Sequence, residues 1–336
     1  MEVQDKGLLK NLTQQALKEF EHRFEGGKPN PITEERIVSL LTECQAQYDL
    51  YTRKDTTFLL QQLVLDVEKI YDIYIAVLNL AVAFARAAEG DKRINHQLFL
   101  ENTWIKAFGK SDILELEGKK RNRDWSGKFD LIRTWFKEVV RTDAEYLAYF
   151  DKHDVTLEDQ KKFINHFFRK IILGKKTVIN SHFEEELLHW AEDKEIVRGM
   201  VDKTVKSFHP ERQPDIQLHT LSINWEDDRQ FIETLFTKAN DLSIEHKELI
   251  AQNTRNWEVE RLPLTDRIIL EMAIVELINF PSIPVKVTIN EYIELTKQYS
   301  TPKSPQFING ILDVIAKELQ KRGELKKSGR GLIDNK

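Results

Sequence analysis

One cysteine, Cys44, stands in 336 residues. A single thiol excludes an internal disulfide and a multi-thiolate zinc site, and it fits a reducing compartment such as the cytoplasm. With no histidine beside it, Cys44 reads as a buried small residue. Glycine (13) and proline (9) are scarce, which favours long helices over a many-turned β architecture. There is no P-loop, no GxGxxG, no GxSxG and no HExxH, so the sequence offers no catalytic centre and calls for no cofactor. The opening "MEVQDKGLLK" lacks a basic segment followed by an apolar run, so no secretory signal is expected. The most apolar stretch, "IYIAVLNLAVAFA" (73–85), is too short to span a bilayer and reads as core, with no membrane role. A net charge of −5 excludes a uniformly basic coat and leaves room for a local basic patch.

What is present is apolar periodicity. Charged residues make up 31% and hydrophobic ones 41%, ordinary for a soluble protein, and the length suits about two domains. Apolar residues recur at helical spacing nearly throughout, which predicts an all-α fold. Helices are expected over 8–24, from a Thr33 cap onward, over 57–86, 95–108, 129–150, 157–173, 178–190 and 192–208. Gly26-Gly27 and Gly90 mark stops, and "EGKKRNRDWSGK" (117–128) reads as a polar loop. "HPERQPDIQLHT" (209–220), with two prolines, is the best linker. A C-terminal block at 227–320 follows, its helices separated by "RLPLT", "FPSIP" and "STPKSP". The division is therefore N-terminal helices at 1–89, which can pack with the C-terminal block; a helical insertion at 90–220; the block itself; and a basic tail at 321–336.

Within the block, Ile268, Ile269, Met272, Ala273, Leu277 and Ile278 follow one stripe. Pro281 and Pro284 bracket a corner, and Tyr292, Leu295 and Tyr299 share a face. "SPQFINGILDVIAKEL" places Asn309-Gly310 in the second turn of a helix, where glycine costs about 1 kcal/mol relative to alanine. Together, "LPLTDR", "ELINFPSIPVKVTINEYIELTKQYST" and "SPQFINGILD" resemble the C-terminal half of the NusB family of transcription antitermination factors. The length and the insertion resemble the long forms of Bacteroidetes-type bacteria.

The resemblance implies a NusB-like helical bundle with a large helical insertion. It also implies a bacterial antitermination factor that pairs with ribosomal protein NusE on boxA RNA, and acts indirectly with other Nus factors and RNA polymerase. It places Phe307, Asn309 and Gly310 at or near the functional surface. An aromatic ring can stack on an unpaired base, and glycine allows close backbone approach. The same residues also fit a buried Phe307 and a Gly310 helix–helix contact. Asp266 matches an acidic position near the NusE side, and equally suits a carboxylate favoured by the start of its helix. Lys303 stands where the family tends to be acidic. The family's Arg-rich first helix is replaced by Lys6, Lys10, Lys18 and Arg23 among Glu2, Asp5, Glu19, Glu21 and Glu25. That near-neutral segment keeps open an alternative, a protein–protein adaptor on a NusB scaffold without RNA binding. An enzyme-appended NusB domain is disfavoured because no Gly-rich nucleotide loop is present.

Further candidates carry less specific signals. "QKKFINHFFRKIILGKK" (160–176) interleaves Arg169, Lys170 and other cations with Phe163, Phe167 and Phe168. That pattern suits an RNA surface or a helix with a Phe core face. Lys119, Lys120, Arg121, Arg123 and Trp125 form a second basic–aromatic loop. Tail residues Lys321, Arg322, Lys326, Lys327 and Arg330 could follow an RNA backbone or simply solubilise. "HFEEELLH" sets His182 and His189 on one expected helix face with Glu185 and Glu186 between, a conceivable metal site but more simply a solvated helix.

Overall fold

A computed structural model describes residues 14, 18, 31–174, 177–212, 215–254 and 262–333. The expected helix at 8–24 lies almost wholly outside them. The described residues are predominantly helical and hold no β-strand. The chain divides into two compact units, Met1–Leu218 and His219–Lys336, and the division falls inside the expected linker.

In the first unit, α1 runs unbroken over Pro31–Glu89. The break expected between Thr33 and Thr57 is absent, because no glycine or proline interrupts residues 32–89. At 59 residues, α1 is about 90 Å long. Its C-terminal third is apolar all round. Ile73, Tyr74, Ile75, Val77, Leu78, Leu80 and Phe84 are fully buried. α1 is the one described helix long and apolar enough to cross a membrane by length and composition, yet its most apolar window is 72% buried inside the protein. A helix that is hydrophobic on every side needs neighbours on every side. Those neighbours are α3 (Thr103–Lys110), α4 (Asp112–Lys120), α5 (Phe129–Trp135) and α9 (Trp190–Ser207), following the short α2 (Gln97–Leu100). Residues 31–89 and the following helices therefore form one unit, and the turn at Gly90 is internal to it. The apolar region at 73–85 is core, as expected. Cys44 is not: it lies exposed on the N-terminal half of α1.

Capping explains the shorter elements. The expected helix at 95–108 divides at Asn102, whose side chain accepts from Trp104 N at 3.0 Å and so starts α3. α5 runs into a π-helical stretch, Phe136–Val140, and α6 (Ala144–Tyr149) follows. α7 (Leu157–His166) opens on a Thr156–Asp159 capping box and continues as a second π-helical stretch, Phe167–Ile172. α8 covers Val178–Glu186.

The second unit holds α10 (Trp225–Asn240), α11 (Ile244–Thr254), α12 (Leu264–Asn279), α13 (Val285–Tyr299) and α14 (Ser304–Lys321). Proline supplies the fixed φ at each of the last three starts: Pro263 and Pro284 cap α12 and α13, and Pro305 lies in the first turn of α14. The core joins Leu249, Leu270, Ile274, Tyr292, Ile308 and Leu312, with their neighbours, from α11 to α14. The sequence beyond α14 is not a free tail over its described length. Gly323 turns the chain at φ +72°, and Leu325 packs on the core. Ser328 N then donates to Pro281 O at 2.9 Å. Gly331 lies so close to the same carbonyl that an added Cβ would sit 2.1 Å from it. Residues 322–333 are a strap over the α12–α13 corner.

Candidate RNA and partner surface

The α13–α14 turn is built on Asp266. This side chain is 2% exposed in the first turn of α12. It accepts from Ser304 Oγ at 2.8 Å and from Ser300 Oγ, while Thr301 Oγ1 and Ser304 Oγ are 2.8 Å apart. A buried carboxylate needs such donors, and the helix start favours its charge. Asp266 therefore holds the corner and does not present itself to a partner. What the corner presents is Thr301, Pro302 and Lys303, all exposed.

Along α14, Ser304, Phe307, Ile308, Ile311, Leu312, Ile315 and Leu319 face inward at helical spacing. Phe307 is 9% exposed and part of the core, so its ring does not offer a stacking face. The sequence pattern identified its helix face and not which side was covered. Asn309 is exposed and Gly310 half-buried. Nothing lies within 4 Å of a Cβ built on Gly310, which removes the helix–helix contact as the reason for this glycine. The open side of α14 carries Gln306, Asn309, Asp313 and Lys317 beyond Lys303.

The strap adds charge. From Pro302 to Arg330 the chain has seven Lys or Arg residues and three acids, a basic stretch in a protein of net −5. Their settings differ. Arg322 pairs with Glu245 at 2.8 Å and Glu318 at 3.1 Å. Lys327 Nζ donates to Phe280 O at 3.1 Å, and burial pushes its amine below the usual lysine range against the pull of Glu276. Lys326 and Arg330 are exposed. Below the strap, burial pushes the Glu276 carboxyl up, opposed by the Thr288 and Tyr292 hydroxyls and by Lys327. Lys286, Lys317 and Lys327 line a groove of about 200 Å³ between α13, α14 and the strap. Lys303 precedes α14, whereas Lys326 lies in the strap between Leu325 and Lys327, which line the groove beside Asp313, Ala316 and Lys317, and Phe307 is buried in the core.

The candidates of the first unit are mostly occupied within it. Arg169 forms a two-pronged pair with Asp202, with Nε donating at 2.9 Å to Oδ1 and Nη2 to Oδ2. Lys170 is exposed beside a groove that also holds Glu138 and Asp143. Phe163, Phe167 and Phe168 are buried. In the other basic loop, Arg121 pairs with Asp72 and Glu117, Arg123 with Glu186, and Lys119 with Glu115. Trp125 Nε1 donates to Ala76 O at 2.7 Å. His182 and His189 do not share a helix face. α8 ends at Glu186, where buried Leu187 turns extended, and His189 precedes α9. No group of metal-ligand side chains occurs among the described residues.

Residues 195–317 match the sequence profile of the NusB family, which begins well before the block identified from its motifs. The chain is 44% identical over 105 residues to a transcription antitermination protein NusB of Salinibacter ruber, covering 31% of this chain and 66% of that protein. It is 36% identical over 141 residues to one of Chloroherpeton thalassium, covering 42% and 62%. It is 39% identical over 118 residues to one of Koribacter versatilis, covering 35% and 75%. The chain thus spans just under two thirds of the first two relatives. No solved structure matches it.

Proposed function

The chain belongs to the NusB family, and from that premise we propose that it is a cytoplasmic antitermination factor that binds boxA-type RNA together with ribosomal protein NusE. It acts by assembly and not by catalysis. The bound pair stays with RNA polymerase and other Nus factors and suppresses premature termination. The observation that carries this reading is Gly310, a helix-weakening residue on an open face with Asn309 beside it. Its own fold gives it no neighbour to avoid, so an external backbone or base is what its missing side chain admits. Lys303 before α14 and Lys326 in the strap, both exposed, supply phosphate contacts, while Phe307 supports the surface from beneath.

A second reading, a protein–protein adaptor, draws on the first unit. Arg169, Arg121 and Arg123 are all paired with carboxylates there; Phe163, Phe167 and Phe168 near Arg169 are buried, and Trp125 is half-buried. Titrating boxA RNA with the full chain, with NusE and with both decides between the two. Antitermination requires RNA binding that strengthens when NusE is added, with RNA strengthening NusE binding by the same factor. NusE binding without RNA binding or coupling would leave the adaptor.

A further inference from the structure

The N-terminal half of α1 carries a heptad seam, exposed at Cys44, Tyr48, Tyr51, Phe58 and Leu65 and half-buried at Leu41 and Gln62. Leu41, Cys44, Tyr48, Tyr51, Phe58 and Leu65 recur at alternating steps of three and four, and Asp55 and Gln62 fill the two remaining positions. Tyr48, Tyr51, Phe58 and Leu65 are 43%, 63%, 59% and 46% exposed. Glu35, Arg36, Glu43, Asp49 and Arg53 fall on the opposite face, and only Lys54 flanks the seam with charge between residues 41 and 62. A mean step of 3.5 residues, rather than 3.6, keeps a stripe facing a second helix that winds around it.

We propose that this seam is a self-association surface, occupied by residues 41–65 of a second copy running antiparallel. Orientation follows from the two polar positions. A parallel pair in register would set Asp55 against Asp55, two carboxylates in one desolvated layer. An antiparallel pair centred at residue 53 sets Asp55 against Tyr51 of the second copy, whose hydroxyl can donate to the carboxylate. The other layers become Leu41 with Leu65, Cys44 with Gln62, and Tyr48 with Phe58. Each polar residue then meets a group that tolerates it, and two aromatics meet each other. The three exposed aromatics and their flanking leucines would bury roughly 600 Å² on each copy, at the low end of specific interfaces, which implies a dissociable dimer.

The lone thiol reports the orientation. Antiparallel pairing holds the two Cys44 residues 18 positions apart along the axis, about 27 Å, too far to bridge. It brings Cys44 beside residue 62 of the second copy. Sedimentation of the full chain under reducing conditions, from about 1 to 100 μM, should show a monomer–dimer equilibrium. Tyr51→Lys with Phe58→Lys, both at exposed sites, should weaken it at least 100-fold with unchanged circular dichroism. Mild oxidation should give a covalent dimer for Gln62→Cys and none for the wild type. A disulfide-linked wild-type dimer would overturn the antiparallel arrangement. A chain that stays monomeric at 100 μM would overturn the proposal and give the seam to another occupant, such as residues 8–24 of the same chain.

Discussion

Gly310→Ala separates folding from function at one position. The substitution replaces the second-worst helix former with the best, a difference of about 1 kcal/mol in a helix interior. Part of it arises from the narrower freedom of the unfolded chain, so the effect does not depend on any new contact. Nothing lies within 4 Å of the added methyl, so no packing penalty offsets the gain. The expected result is stabilisation of the second unit by about 0.5–1 kcal/mol. Because the chain has two units, a single melting curve mixes their transitions. Hydrogen exchange of the buried α14 amides, Ile311 to Leu319, reads the second unit directly and should slow by roughly two- to fivefold. The same methyl stands on the proposed RNA surface, so RNA affinity should fall while stability rises. Destabilisation would mean that the open space is not open. A stabilised variant with undiminished affinity for RNA and NusE would refute the close-approach reading of this glycine.

Asp266→Ala should destabilise the second unit by about 1–3 kcal/mol, because the half-buried Ser300 and buried Ser304 hydroxyls lose their acceptor; hydrogen exchange of the α14 amides measures this, and a neutral result would return Asp266 to the partner surface. Phe307→Ala should cost about 3–5 kcal/mol of stability, whereas Phe307→Leu should fold and keep RNA affinity; loss of affinity in the folded leucine variant would restore a stacking role to the ring. The Glu276 carboxyl is raised in the folded state, so the native protein holds this proton more tightly than the unfolded chain. Stability should therefore fall as pH rises from the usual glutamate value through the folded one, and Glu276→Gln should remove that slope in pH-dependent unfolding. Lys326→Gln should shallow the salt dependence of RNA binding by roughly 0.7 in log–log slope, while Arg169→Gln, paired with Asp202, should not.

Much of the fold was legible because proline and periodicity act locally. Pro263, Pro284 and Pro305 mark the starts of α12, α13 and α14, and the linker at 209–220 holds the unit boundary. The failures concern what covers a residue, which depends on partners distant in sequence. Periodicity set Phe307 and Ile311 on one face of α14, but only the packing of α11, α12 and α13 makes that face the inner one. Cys44 has the character of a core residue and lies exposed on the N-terminal half of α1. Residues 322–333 read as a solvated basic tail because their anchors are backbone carbonyls of Phe280 and Pro281, which leave no trace in composition. "HFEEELLH" has helical spacing, but Leu187 and Trp190 both need burial, and an uninterrupted helix is given up there to provide it.

Three basic–aromatic stretches looked alike in sequence, and burial and pairing now rank them. Around Arg121 and around Arg169 each guanidinium lies against a carboxylate, and the nearby rings are committed to the core or, for Trp125, to the Ala76 carbonyl. A phosphate approaching either site would compete with an existing ion pair. That exchange gains little, because the counterion already present is part of the protein. Around α14 the balance differs. The stretch from Pro302 to Arg330 carries an excess of four positive charges, and Lys303 and Lys326 project from it without burial. Lys303 precedes α14 in the chain, and Lys326 follows it within the strap. The proposed RNA surface is the exposed side of α14, which holds Asn309 with Gly310 beside it. On the proposed function, an RNA segment running along that side would meet open backbone at Gly310, where an added Cβ would touch no other atom of the protein within 4 Å.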